Sequence, residues 1–173
     1  GIPVGLPYLR RGVFEFLSSG SAPAGVDGNP QLWFELSEDN LLHLYVPKVE
    51  MGQGVHTALG QLAAEELELS WQYVRVHQAG TLVGPVDSFG TAGSSSVSGL
   101  YRPLQQLAAN YRVMLTEAAE ESTGTKMSLI DGVFVAAGSG QEVTLAEAAR
   151  LDREWEEPQE DAPLKSSQQF KII

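Results

Sequence analysis

Val46-Pro47-Lys48-Val49-Glu50-Met51-Gly52-Gln53-Gly54-Val55-His56-Thr57 decides the fold of this chain. Proline cannot donate to a strand ladder, so Pro47 ends or edges the apolar run Leu41 to Val46. Two glycines then permit a tight turn, and from Val55 the apolar residues Val55, Leu59, Leu62, Ala63 and Leu67 recur on one helical face. Glu65, Glu66 and Glu68 fall mostly off that face. A strand, a glycine-rich turn and a helix in succession form an anion-binding device. The glycines let backbone approach a ligand, and the unpaired amides at the helix start point toward negative charge.

Outward from that stretch, Leu32 to Leu36 reads as a strand, Ser37-Glu38-Asp39-Asn40 as a polar turn, and Leu41 to Val46 as the second arm of a hairpin. Downstream, Trp71 to Val76 alternates as a strand. Thr81 to Gly99 is a long Gly- and Ser-rich loop of the kind that carries function in compact domains. A long helical pattern follows, with a start expected near Tyr101 so that Pro103 falls in the first turn. Ser128 to Val135 reads as a small hairpin, and Thr144 with Glu147 has capping-box spacing at the head of a short helix through Leu151. The fold class is α/β (α+β): a two-layer domain with a small mixed or antiparallel sheet on two main helices near 55–68 and 101–122. An extended N-terminal arm precedes it. The domain organisation is an arm and linker over 1–30, the α/β domain over 31–151, and an acidic linker toward a following domain over 152–173.

The chain has 173 residues, with 11 Lys+Arg against 22 Asp+Glu and a net charge of -11. Such a surface repels phosphate backbones and argues against nucleic-acid binding. No apolar run approaches the roughly 20 residues of a membrane helix, so no membrane insertion is expected. Cysteine is absent, which removes disulfides, thiolate metal sites and iron-sulfur ligation from this chain. His43, His56 and His77 have no second histidine at helical or hairpin spacing, so no metal ligands are assigned. Arg10-Arg11 is not expected to begin a complete export signal, because Glu15 and Ser18-Ser19-Gly20-Ser21 interrupt the apolar stretch. The compartment, cytoplasmic or periplasmic, stays open.

The glycine pair Gly52-x-Gly54 lacks the third glycine of a nicotinamide-binding turn, since Thr57 stands there, and the acidic residue about 20 positions on is replaced by Val76-His77-Gln78. A second stretch, Gly90-Thr91-Ala92-Gly93-Ser94-Ser95-Ser96, again precedes a helix. Two such helix starts side by side would suit a pyrophosphate or an oxyanion. No Gly-x-Ser-x-Gly elbow occurs, and Glu50 is expected to pair with Lys48 or the turn amides rather than act as a base. No catalytic residue is assigned.

Pro47 to Leu59 with its Glu50-Met51-Gly52-Gln53-Gly54 core, then Ala64-Glu65-Glu66-Leu67, Gly93-Ser94-x-Ser96-Val97 and Tyr111-Arg112-Val113-Met114-Leu115, resembles the N-terminal part of a particular large subunit. It is the molybdopterin-binding one of isoquinoline 1-oxidoreductase-type enzymes, within the xanthine oxidase family of molybdenum hydroxylases. The resemblance implies a segment that helps hold molybdopterin cytosine dinucleotide, with Gly52, Gln53 and Gly54 at one contact and Gly93, Ser94 and Ser96 at another. The family commonly has Arg between the two serines, where Ser95 stands here. The implied partners are the remaining large-subunit polypeptide and a small iron-sulfur subunit. The implied reaction is hydroxylation of an N-heterocycle or an aldehyde with oxygen from water, as an oxidoreductase. The family's catalytic Glu lies far toward the C-terminus of a much longer polypeptide, outside this chain, so the isolated chain is expected to be silent and to hold no cofactor alone. The alternative is a stand-alone interaction module that kept the fold and lost the cofactor.

Overall fold

The structure is a computed structural model and describes residues 33–79, 91, 95–153 and 162–171. The expected arm over 1–30, Gly93, Ser94 and most of the acidic run after Asp152 lie outside the described residues. Strands β1 (Phe34–Leu36), β2 (Leu42–Val46) and β3 (Val74–Gln78) form one sheet in that order, and helix α1 (Val55–Glu66) connects β2 to β3. β1 and β2 make the expected hairpin, Phe34 opposite Leu44 and Leu36 opposite Leu42. β2 and β3 run parallel, Leu42 beside Val74 and Val46 beside Gln78, as a helical crossover requires. Alternation along β2 buries Leu42, Leu44 and Val46 against α1 and puts His43 and Tyr45 on the opposite face. Val55, Leu59, Leu62 and Ala63 of α1 close this half of the core.

Trp71 does not begin a strand. Trp71–Tyr73 is a 3-10 turn, with the Tyr73 N–H donating to the Ser70 carbonyl at 2.9 Å, and the strand starts at Val74. Packing explains the difference. A Cβ at Gly60 would lie 2.7 Å from the Trp71 ring and 2.6 Å from Val76, so the indole sits on the helix at the one position with no side chain. Bringing the ring there takes its backbone out of the extended conformation.

Helix α2 (Ser96–Thr123) starts at Ser96 rather than near Tyr101, which places Pro103 in its interior and shortens the expected loop. The carbonyl that loses its donor is that of Gly99, which is exposed and has no side chain to hinder its tilt toward water. The remaining strands form a second sheet, β4 (Met127–Ile130), β5 (Val133–Ala136) and β6 (Glu142–Thr144), all antiparallel. Thr144 opens α3 (Leu145–Ala149) with the expected capping box, and the helix stops at Ala149 rather than Leu151. Asn40 joins the two sheets: its side chain donates to the Gly132 carbonyl and accepts from the Ala146 N–H, both at 3.0 Å.

Residues 162–171 run back over α1 and α2. Asn110 Oδ1 accepts from the Ala162 N–H at 2.8 Å, and Gln106 Nε2 donates to the Ala162 carbonyl at 2.9 Å. This segment covers Glu65 and Glu66, which are 4% and 0% exposed although the helical pattern sets them mostly outside the apolar face. Phe170 packs on the chain's own core.

Candidate functional site

β2 and β3 finish together, where the Ala79 N–H donates to the Val46 carbonyl at 2.8 Å. The first glycine-rich loop therefore leaves from the carboxyl end of a parallel pair, the end at which open α/β sheets bind ligands. It meets the second glycine-rich stretch beyond the strands, where the Val49 N–H donates to Thr91 Oγ1 at 2.7 Å. Sequence alone did not give this contact, because it joins residues 42 apart in the chain.

The first loop turns at Gly52 (φ 93) and Gly54 (φ 75), a left-handed backbone that glycine adopts without strain. Three of its amides are occupied by the chain itself. Glu50 Oε1 accepts from the N–H groups of Gly52 and Gly54 at 2.8 and 3.0 Å, and Oε2 accepts from that of His56 at 3.1 Å. A carboxylate at the positive end of a helix is favoured by the dipole, and here it meets three donors that the helix cannot use. The hydrogen bond from His56, then that from Gly54, holds the Glu50 carboxyl below the usual carboxylate range. Glu50 is thus an ionised cap in this structure, as the turn-amide expectation had it.

Gln53 folds onto its own loop: Nε2 donates to the Val49 carbonyl at 2.6 Å, and Oε1 accepts from the Met51 N–H at 2.5 Å. One amide hydrogen and one lone pair of Gln53 exceed those bonds. Among the described residues, and apart from its chain neighbours, no heavy atom lies within 4 Å of a Cβ built at Gly52 or Gly54, so the loop presents an open backbone face. Val49, 48% exposed, and Met51, 69% exposed, give the loop an apolar surface. Room, spare amide capacity and apolar surface fit a neutral, flat, polar ligand edge. They do not fit a phosphate at this loop, because Glu50 takes three of its amides and adds negative charge.

At the second stretch, Ser96 is the first residue of α2 and is 8% exposed, and Ser95 precedes the helix without a side-chain cap bond. Gly93 and Ser94 lie outside the described residues.

The histidines depart from their spacing. His43 Nδ1 and His77 Nε2 lie 2.8 Å apart across the sheet, a pairing that neither helical nor hairpin spacing could reveal. His56 Nε2 lies 2.7 Å from the Lys48 carbonyl at the loop. Among the described residues no three His, Cys, Asp or Glu side chains gather as metal ligands, and no helix is long and apolar enough to cross a membrane.

A family model described as molybdopterin cofactor-binding domain matches residues 12–172. The chain is 35% identical over 105 residues to the beta subunit of isoquinoline 1-oxidoreductase from Brevundimonas diminuta, covering 57% of this chain and 13% of that relative. It is 25% identical over 163 residues to a nicotinate dehydrogenase subunit of Pseudomonas putida, covering 91% of this chain and again 13% of the relative. The crystal structure of quinoline 2-oxidoreductase from Pseudomonas putida 86 is similar with a TM-score of 0.52 and 21% identity over 68% of this chain and 15% of that one, which shows a shared fold. The chain thus spans only a small part of the length of the relatives it matches.

Proposed function

The chain belongs to the molybdopterin cofactor-binding domain family, and from that premise we propose that it forms one wall of a molybdenum cofactor site completed by further large-subunit polypeptide. The observation that carries the reading is the open glycine face beside Thr91: the Gly52-Gln53-Gly54 loop is tied to the second glycine-rich stretch by the bond from Val49. In this reading Gly52, Gln53 and Gly54 contact a neutral edge of the cofactor. Gly93, Ser94 and Ser96 take its phosphates, since the ionised Glu50 disfavours phosphate at the first loop. The bound group supplies the redox chemistry, and the residues of this chain bind and orient it.

The relatives are named as oxidoreductase subunits. By analogy, the whole enzyme hydroxylates an N-heterocycle or an aldehyde with oxygen from water, carries the cofactor as the cytosine dinucleotide, and works with a small iron-sulfur subunit. Residues 152–173, of which 162–171 first return over α1 and α2, then lead toward the next domain. The test uses the assembled enzyme. Cofactor released from it should yield a cytosine nucleotide, and Gln53→Ala should lower molybdenum occupancy or turnover by about tenfold, at a cost on the order of 1–3 kcal/mol for the lost hydrogen bonds. Unchanged molybdenum content and turnover in Gln53→Ala would return Gln53 to a purely loop-closing role and remove it from the site.

A further inference from the structure

The sheet face turned away from α1 carries Glu35 of β1, His43 and Tyr45 of β2, and Arg75 and His77 of β3. The imidazoles of His43 and His77 lie edge to edge with centroids 5.1 Å apart and planes 15° apart, and Tyr45 stacks on His77 at 5.1 Å. At an N···N distance of 2.8 Å, one ring nitrogen donates and the other accepts. This hydrogen bond joins the two parallel strands diagonally, three residues before β2 ends at Val46 and one before β3 ends at Gln78, and the first glycine-rich loop follows the end of β2.

We propose that the His43–His77 pair is an acid-opened latch that fixes the spacing of the ends of β2 and β3, the first of which leads into the Gly52-Gln53-Gly54 loop. The proton count gives the mechanism. A first added proton goes to an outer nitrogen of one ring, and the N–H···N bond survives, now charge-assisted. A second proton from solvent makes both rings imidazolium, each with two donors and no acceptor, so the bond is lost and like charges face each other.

The groups facing the pair fit this assignment. The Glu35 carboxylate accepts from the Tyr45 hydroxyl at 3.1 Å, which leaves it one shell from the rings. Asp39, in the turn between β1 and β2, lies within electrostatic reach of His43. Arg75 turns its guanidinium to the carbonyls of Gln72 and Val74. Burial, and then the neighbouring His43, hold the His77 imidazole below its ordinary value against the opposing pull of Glu35. A folded-state value below the unfolded one means that the contribution to stability is complete above the unfolded value and is lost as pH falls through the folded one. The latch is therefore closed at neutral pH and opens in acid.

The strand latch stands on the geometry alone, and its effect on cofactor retention rests on the function proposed above. The experiment is hydrogen-deuterium exchange on the assembled enzyme between about pH 5 and 8, the imidazole range, corrected for intrinsic rates. The readouts are protection of 43–49 and 74–79 and molybdenum content. The double substitution His43→Asn with His77→Gln keeps a neutral donor and acceptor near the two nitrogens without titration, and His77→Gln alone serves if the double variant fails to fold. In the wild type, the exchange-competent fraction at the strand ends should rise by about tenfold per pH unit below the second protonation step. The Asn/Gln variant should match it at neutral pH and stay protected in acid. Protection that is flat with pH in the wild type, or acid loosening that persists in the variant, overturns the latch. Loosened strand ends with molybdenum fully retained overturn the coupling to the cofactor but not the latch. An assembly without molybdenum at neutral pH speaks against the proposed function, and the exchange result still decides the latch.

Discussion

The two ends of α1 use the same residue type in opposite ways. At the amino end Glu50 is exposed, reaches backbone amides at most six residues away, and works with the helix dipole. At the carboxyl end Glu66 is wholly buried and works against the dipole. Its Oε1 accepts from Gln105 Nε2 at 2.7 Å and from the Lys165 N–H at 3.0 Å, 39 and 99 residues away in sequence. Glu65 and Glu68 extend that cluster: Glu65 accepts from the Lys171 N–H at 2.7 Å, and Lys165 Nζ bridges to Glu68 at 2.6 Å. Burial pushes the Glu68 carboxyl up, and the hydrogen bonds from Lys165 and Lys171 outweigh it, so the net shift is downward. One end of the helix is a local cap that shapes a loop, and the other is a long-range clamp that holds the segment 162–171 to the domain.

That contrast breaks most visibly at Glu66. Replacing it with Ala leaves the Lys165 N–H and one of the two Gln105 Nε2 hydrogens without an acceptor, and Arg112, whose Nη2 lies 3.7 Å from Glu66 Oε2, without its counter-charge. The expected loss is about 3–5 kcal/mol in denaturant unfolding, the usual cost of removing one partner of a buried ionic cluster. Adding Gln105→Ala to that variant should cost less than it does in the wild type, because the two groups share a bond. Strict additivity would show that the clamp is not one unit.

Between the two ends, Gly60→Ala tests the packing that sets where β3 begins. The new methyl would meet Trp71 and Val76 well inside contact distance, for an expected loss of about 1–3 kcal/mol with a changed Trp71 fluorescence environment. A neutral outcome would mean that the indole moves aside freely and does not hold the 3-10 turn.

Glu50→Gln should give the smallest effect, confined to the local cap and to its pH dependence. Because the folded-state carboxyl lies below its ordinary value of 4.5, the wild-type cap is fully formed above that value and weakens as pH falls through the lowered one. The Gln variant should remove this acid-dependent step in amide exchange at Gly52, Gly54 and His56. An identical pH profile in both proteins would show that the amides take their protection from elsewhere.

The local physics of this chain was legible in its sequence. The 3.6-residue period from Val55, the alternation in β2, the Asn40 turn and the Thr144–Glu147 box each depend on neighbours within a few residues, and each formed. So did the glycine turn and its Glu50 cap, for the same reason. Pairings between distant segments were decided only by the tertiary structure. Parallel pairing of β2 and β3 brought His43 diagonally to His77, the tertiary fold brought Val49 to Thr91, a missing Cβ at Gly60 moved Trp71 out of its strand, and the returning segment 162–171 buried Glu65 and Glu66. A helical pattern records which face of α1 is apolar, but whether a carboxylate beside that face meets water or a second segment depends on where the rest of the chain passes.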